Sequence, residues 1–369
     1  MKAWVSHGFN LIPEQAVKSL SYETVPVPTP EAGQVLVRVH YASVDPMDWK
    51  LLSGEFRDLF PKCKLRFVPG LDVAGEVVEV GPGCERLQEG DRVVCCLGFE
   101  SFREQATFGP AGAFAELCVC PEGHAARVPE SINIPSEASL LKVAGLPLAG
   151  LTAYQALLTG GGCSTRGEPL GAITRGSKVL VLGGNRGVGH LAVQIARLKG
   201  ATVATTVPPT SVEWIKDLGA SEVINFNEED WIQRMTPTVG CSGMDIILDC
   251  VGWATSLSEL DRAMYVLRPG GQYISSFHHE VFDILDDTDG ERKGRKFSAM
   301  MPKAVAEDLD VLVNWVLTGK LEVVVDQVCP FDQARHALHE SVVGQCRGKV
   351  VLCQCAAHSA GETGAVGGA

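Results

Sequence analysis

Four glycines fall within seven residues of the stretch KVLVLGGNRGVGHLAVQIARLKG (178–200), at positions 183, 184, 187 and 189. Before them runs an apolar, partly β-branched segment (179–182). After them Val188, Leu191, Ala192, Ile195 and Ala196 share one helical face. Strand, glycine turn and helix together aim backbone N–H groups and the positive end of a helix dipole at an anion, and a diphosphate suits that geometry. The candidate diphosphate contacts are Asn185, Arg186, Gly187, Val188 and Gly189. A tight turn without any ligand has the same local pattern, so the surrounding elements must decide.

Those elements favour a ligand. ATVATT (201–206) reads as a second strand, SEVINF (221–226) as a third and MDIILDCVG (244–252) as a fourth. RPGGQYISSF (268–277) reads as a turn and a further strand. Residues 210–213 (TSVE) form a capping-box pattern opening a helix that stops at Leu218 and Gly219, and Gly200 closes the helix before it. This alternation predicts an α/β, doubly wound parallel sheet with its ligand at the carboxyl edge, hence a dinucleotide site. An NAD-selective site places an acid at the end of the second strand to accept from the ribose 2′-hydroxyl. Here stand Thr205, Thr206 and Val207, with no acid before Glu213. A 2′-phosphate would meet no repulsion, and hydroxyls of Thr205, Thr206 or Ser211 with a reach from Arg186 would supply donors to it, so NADPH is the expected cofactor. Residues 1–143 differ in texture: GQVLVRVHYASV, DVAGEVVEVGPG, GDRVVCCL and GAFAELCVC are short strands punctuated by glycine, predicting a small β-rich domain.

Composition excludes several classes. With 32 Lys and Arg against 44 Asp and Glu the net charge is −12, which argues against nucleic-acid and anionic-membrane partners. No apolar stretch approaches ~18 residues, and the opening MKAWVSHGFN lacks a signal peptide's apolar core. A soluble cytoplasmic protein is expected. The 13 cysteines are scattered without a Cys-x-x-Cys pair, as for reduced structural thiols. His336 and His339 lie three apart on a predicted helix but lack a third metal ligand nearby. The small, glycine-rich tail 356–369 is expected to be disordered.

Seven motifs then occur in order: ASVDPMDWK (42–50), PGLDVAGEVVEVG (69–81), GDRV (90–93), GAFAE (112–116), LPLAGLTAYQAL (146–157), the glycine turn and GKVVL (348–352). In this the chain resembles the zinc-independent medium-chain dehydrogenases/reductases, in the quinone oxidoreductase-like branch that includes alkenal and enone reductases. The resemblance spans 1–353. It implies a GroES-like β-rich catalytic domain (1–143, with a C-terminal return over 300–355) and a Rossmann domain (144–299). It also implies hydride transfer from NADPH to a quinone or an α,β-unsaturated carbonyl. Relatives pair through the Rossmann sheet edge, so a homodimer with QYISSF at its interface is expected.

Zinc enzymes of this superfamily carry a Cys in the first motif and a His-Glu pair in the second. Here those places hold Asp45 and Leu71–Asp72, and the four-cysteine structural lobe is missing, so no zinc is expected. Asp45 stands where the branch has an Asn near the nicotinamide ribose or the substrate; it reads equally as a turn cap before Pro46. Lys50 either approaches the ribose or is exposed, and Asp48 stabilises the domain. Thr152, placed at the start of a helix, is expected to cap it and to contact cofactor. Ser211 and Phe226 stand where relatives place Lys and Tyr. The resemblance implies that Val251 and Ser276 flank the nicotinamide, and His278 is either a proton donor or a plain loop histidine. The link over 159–178 is longer than usual, as in enoyl reductases that act in trans on fungal polyketide synthases. An enoyl-thioester reductase is therefore the alternative enzyme, and a non-catalytic NADPH-binding sensor the alternative outside catalysis.

Overall fold

A computed structural model describes residues 1–55, 66–98, 112–129, 136–159, 163–164, 170–237, 243–254, 256–276 and 294–354. It divides into two units, Met1–Leu148 together with the chain from Ala304 on, and Ala149–Lys303. The first begins with β1 (Lys2–Val5), α1 (Pro13–Ser19) and β2 (Ser21–Thr24), which pairs antiparallel with β1. The long strand β3 (Gln34–Val44) ends at α2 (Pro46–Ser53). Proline at its first position supplies a helical φ, and Gly54 closes it in the left-handed region. β4 (Asp72–Val80), β5 (Arg92–Cys96), β6 (Leu117–Pro121) and β7 (Ala125–Arg127) follow. β4 can lie close to β3 because residue 75 is glycine: a Cβ there would collide with the carbonyl of Arg38. Helices α3 (Ser136–Ala144) and α4 (Pro147–Tyr154) come next.

The second unit is a parallel sheet interleaved with helices. In chain order it contains β8 (Cys163–Ser164), β9 (Lys178–Leu182), α5 (Gly187–Leu198), β10 (Thr202–Val207), α6 (Val212–Asp217) and β11 (Glu222–Asn225). There follow α7 (Trp231–Met235), β12 (Met244–Asp249), α8 (Leu257–Met264), β13 (Leu267–Ser275) and β14 (Lys296–Met301). The sheet order is β11-β10-β9-β12-β13-β14-β8. Its six parallel strands have the Rossmann order 3-2-1-4-5-6, and the order reverses between β9 and β12. Residues 179–182 are buried, as a strand covered on both faces requires. Leu180, Ile247, Tyr273, Trp231 and Leu260 belong to one apolar cluster.

Two expectations are corrected here. The described part of QYISSF (272–276) is no edge: β13 pairs with β12 on one side and β14 on the other, and β8 pairs antiparallel with Met300 and Met301 of β14. The α-helix does not open directly after Thr210. A 3-10 turn (Pro209–Ser211) intervenes, and Ser211 precedes α6 without a side-chain cap.

The chain returns to the first unit with α9 (Ala306–Leu317), β15 (Val325–Pro330), α10 (Ala334–Val343) and β16 (Lys349–Cys353). The sheet there runs β15-β16-β3-β4-β5-β7, with β6 also on β3; β16 sets Val350 opposite Val44 and Cys353 opposite Tyr41. Cys95, Cys96, Cys118 and Cys120 are buried free thiols, and burial pushes Cys96, Cys118 and Cys120 above the ordinary thiol range. Among the described residues no group of three or more His, Cys, Asp or Glu is arranged to hold a metal, His336 and His339 included. No single helix among them is long and apolar enough to cross a membrane. The tail 356–369 lies outside the described residues.

Candidate functional site

At the carboxyl end of β9 the chain turns through Gly183, whose φ of 81° favours glycine. The turn is tied to β10. Gly183 N–H donates to Thr206 Oγ1 (3.0 Å), and Gly184 N–H donates to the Thr206 carbonyl (3.0 Å). A Cβ on Gly189 would strike the Gly183 carbonyl, and one on Gly184 would strike Thr205 Oγ1, so α5 closes directly on the turn. The helical ladder starts when His190 N–H donates to the Arg186 carbonyl at 3.0 Å. Gly187, Val188 and Gly189 therefore present first-turn N–H groups with no intrahelical acceptor. Asn185 is buried beside them, and Arg186 is the residue preceding the helix. His190 was not evident as a site residue. Its buried ring places Nδ1 3.0 Å from the same Arg186 carbonyl, and its only sequence signal is a polar residue on the apolar face of α5.

The end of β10 separates the three hydroxyls proposed for the ribose pocket. Thr205 is wholly buried and its hydroxyl donates to the Val181 carbonyl (2.8 Å), which corrects its assignment as a ligand donor. Thr206 uses Oγ1 as an acceptor for Gly183. The buried Ser211 hydroxyl has no hydrogen-bond partner among the described residues. Phe226 is exposed. Across the sheet, Ser276 gives both its N–H and its hydroxyl to the Asp249 carbonyl at 3.0 Å, and Val251 N–H donates to Asp249 Oδ1 at 3.0 Å. Thr152 is buried but is the sixth residue of α4, so it is no helix cap. His278 lies outside the described residues.

The first unit buries a charge cluster around Asp45. Its carboxylate is ion-paired with Lys349 of β16, and Ser43 Oγ lies 3.2 Å from Asp45 Oδ2 and 2.9 Å from Asp72 Oδ2. Asp72 also accepts the Leu148 N–H at 3.0 Å, and Asp48 accepts the Asp45 N–H at 2.8 Å, one half of a capping box. All four ionisable groups are buried. Three carboxylates facing one ammonium cannot all ionise away from water. Burial, followed by the Asp45 carboxylate, pushes Asp48 up to about 8 and raises Asp72 well above the carboxylate range. Burial acts against the Lys349 charge, but Asp45 and Asp72 outweigh it and hold its pKa high. The cluster thus keeps a proton at neutral pH. Lys50 departs from the reading of an exposed lysine: it is buried, its ammonium lies 2.9 Å from Glu55 Oε1, and burial pulls its pKa down.

Known proteins match both parts of the chain. Residues 31–130 match the alcohol dehydrogenase GroES-like domain, and residues 218–352 the zinc-binding dehydrogenase domain. The chain is 30% identical over 339 residues to a chloroplast envelope quinone oxidoreductase homolog of Arabidopsis thaliana, covering 90% of this chain and 93% of that one. It is 32% identical over 279 residues to the NADPH-dependent alkenal/one oxidoreductase of Arabidopsis thaliana, covering 74% and 62%. The solved structure of the quinone oxidoreductase from Coxiella burnetii superposes with a TM-score of 0.74 at 27% identity, covering 96% of this chain and 99% of that one.

Two outcomes follow from this geometry. Gly189→Ala forces the turn and α5 apart and is expected to raise the dinucleotide Kd by about tenfold or more, since backbone donors move off the ligand. Titration of the folded variant checks it. Asp48 titrates near 4 in an unfolded chain and near 8 here, so the folded chain holds the extra proton between those values. Its contribution to stability is complete below about pH 4 and is lost as pH rises towards 8, by at most about 1.4 kcal/mol per pH unit. Asp48→Asn keeps an oxygen for the Asp45 N–H. Its Tm is therefore expected to gain on the wild type as pH rises from about 5 to 8, and a constant difference would contradict the assignment.

Proposed function

The chain belongs to the quinone oxidoreductase-like branch of the medium-chain dehydrogenases/reductases, and from that premise we propose that it passes a hydride from NADPH to a quinone or an α,β-unsaturated carbonyl without zinc. The observation that carries the nucleotide half is the cradle at the start of α5, where N–H groups without intrahelical acceptors meet a turn that any Cβ would fill. In this reading Asn185, Arg186, Gly187, Val188 and Gly189 hold the diphosphate. Thr206 and Ser211 supply hydroxyls to a 2′-phosphate, in a pocket whose strand end carries no acid. Val251 and Ser276 line the nicotinamide end, and Thr152 contacts the same ligand. When bound, the reduced nicotinamide supplies the hydride, and the residues described here bind and orient it.

The zinc-binding dehydrogenase match raises the question of a metal, and the residues do not fit one. Asp45 is held by the Lys349 ammonium, whose charge opposes a dication, and Asp72 is occupied by Ser43 and Leu148. The neighbouring place in the second motif is Leu71, which offers no ligand atom. Without a Lewis acid a conjugated acceptor is the better match, because its developing charge delocalises.

The test is direct hydride transfer. NADPH deuterated at the transferable position is incubated with quinones, alkenals and enoyl-thioesters in the presence of a chelator; the expected result is deuterium on the β-carbon of the reduced alkenal, or, for a quinone, whose hydroquinone O–D exchanges with water, loss of the label from NADPH in step with hydroquinone formation. No product and no NADPH oxidation with any of the three would remove the enzymatic reading, and turnover only with a carrier-bound thioester would move the substrate class. The cofactor preference has its own check. Thr206→Asp retains an acceptor for the Gly183 N–H but sets a carboxylate against a 2′-phosphate. The ratio of NADPH to NADH dissociation constants is expected to rise about tenfold or more at fixed salt. A wild type that already prefers NADH, or a ratio that does not move, would overturn the preference.

A further inference from the structure

Asp249 is buried at the carboxyl end of β12, where β12 lies beside β9 and the strand order reverses. Its Oδ1 accepts the N–H groups of Val251 (3.0 Å) and Gly252 (2.9 Å). Its Oδ2 accepts the Trp253 N–H (2.9 Å) and the Tyr273 hydroxyl (2.8 Å). Its carbonyl takes the N–H and hydroxyl of Ser276, while the next residue, Cys250, donates its N–H to the Leu182 carbonyl at 3.1 Å. One residue therefore gathers the ends of β12 and β13 next to the end of β9. Its partners are themselves held: the Tyr273 ring stacks on Phe297 at 5.7 Å, and Trp253 meets Trp231 edge-on at 4.8 Å. The loop folded in this way brings Val251 against the glycine turn, where a Cβ on Gly183 would collide with Val251 Cγ1.

We propose that Asp249 is a positioning residue for dinucleotide binding: its ionised carboxylate shapes residues 251–253 into the wall against which the glycine turn packs, and Tyr273 holds that carboxylate in place. The inference rests on the dinucleotide reading above. Four donors converge on two oxygens, an arrangement that suits an acceptor-only carboxylate; a protonated or amidated group would point a hydrogen at a donor. Burial raises the Asp249 pKa, opposed by the bonds from Val251, Tyr273, Trp253 and Gly252. Among the described residues the titratable groups facing it are Tyr273 and Cys250. Burial pushes both upward, so they stay neutral through the working range. The wall is therefore lost on acidification, at a pH above the ordinary carboxylate range. Removing the Tyr273 hydroxyl takes away one bond to the ionised form and moves that loss to still higher pH.

The experiment is NADPH titration of the full chain, as wild type, Asp249→Asn and Tyr273→Phe, across about pH 5 to 9, with kcat and KM for NADPH measured alongside. Folded Asp249→Asn is expected to bind NADPH about tenfold more weakly, the scale of one charge-assisted hydrogen bond turned repulsive. Its effect should appear in KM for NADPH more than in kcat. Tyr273→Phe is expected to shift the acidic midpoint of binding upward. Wild-type affinity in folded Asp249→Asn, or an unmoved midpoint in Tyr273→Phe, overturns the proposal. If Asp249→Asn does not fold, the Tyr273→Phe midpoint decides by itself. A wild type that binds neither NADPH nor NADH at any pH would instead remove the dinucleotide reading, and the proposal with it.

Discussion

The nucleotide unit depends on one close approach, the packing of the start of α5 onto the turn after β9. Gly189 meets the Gly183 carbonyl, and Gly184 meets the Thr205 side chain, at separations that leave no room for a Cβ. Because both contacts are possible, the helix begins within five residues of the strand end, and its first turn stays at the carboxyl edge of the sheet. The consequences spread through neighbouring strands. Thr206 is drawn in as the acceptor for Gly183, and Thr205 is buried beneath Gly184 with its hydroxyl turned to Val181. Two adjacent threonines of one strand thus acquire different roles, because successive side chains of a strand point to opposite faces.

In the other unit the governing constraint is electrostatic. Asp45, Asp48 and Asp72 share a buried region with a single ammonium, and their charge is reduced by proton retention rather than by further cations. The Lys349–Asp45 pair joins residues 304 positions apart and fastens β16 to the end of β3. A buried pair of this kind is weak evidence for stability, since desolvation offsets its attraction. Its clearer consequence is specificity: a misplaced β16 would strand a buried ammonium and leave three carboxylates without a counter-ion. The same lysine argues against a metal at Asp45, so a single pairing bears on both the fold and the chemistry.

The two units therefore use opposite devices to fix their sites. One relies on missing side-chain atoms and backbone donors; the other relies on side-chain charges brought together from the start of α2, β4 and β16. Asp249 combines both devices, as a buried charge whose partners are mostly backbone N–H groups.

Local sequence determined the strand-turn-helix at 178–200, the alternating elements that follow it and the β-rich texture of the first third. Each is written in neighbouring residues, through periodicity, glycine placement and proline at a helix start. The order of seven motifs carried the family. Tertiary structure alone decided which hydroxyl of Thr205 and Thr206 stays at the turn, that QYISSF is an interior strand, and that Thr152 lies well inside its helix. It alone decided that Lys50 is buried against Glu55, that Lys349 answers Asp45, and that Tyr273 reaches Asp249. The physical reason is the range of the forces involved. Periodicity and capping act over a few residues and leave a local imprint. A buried charge chooses its partner by proximity in the fold, and positions 45 and 349 carry no mark in the chain that they will meet.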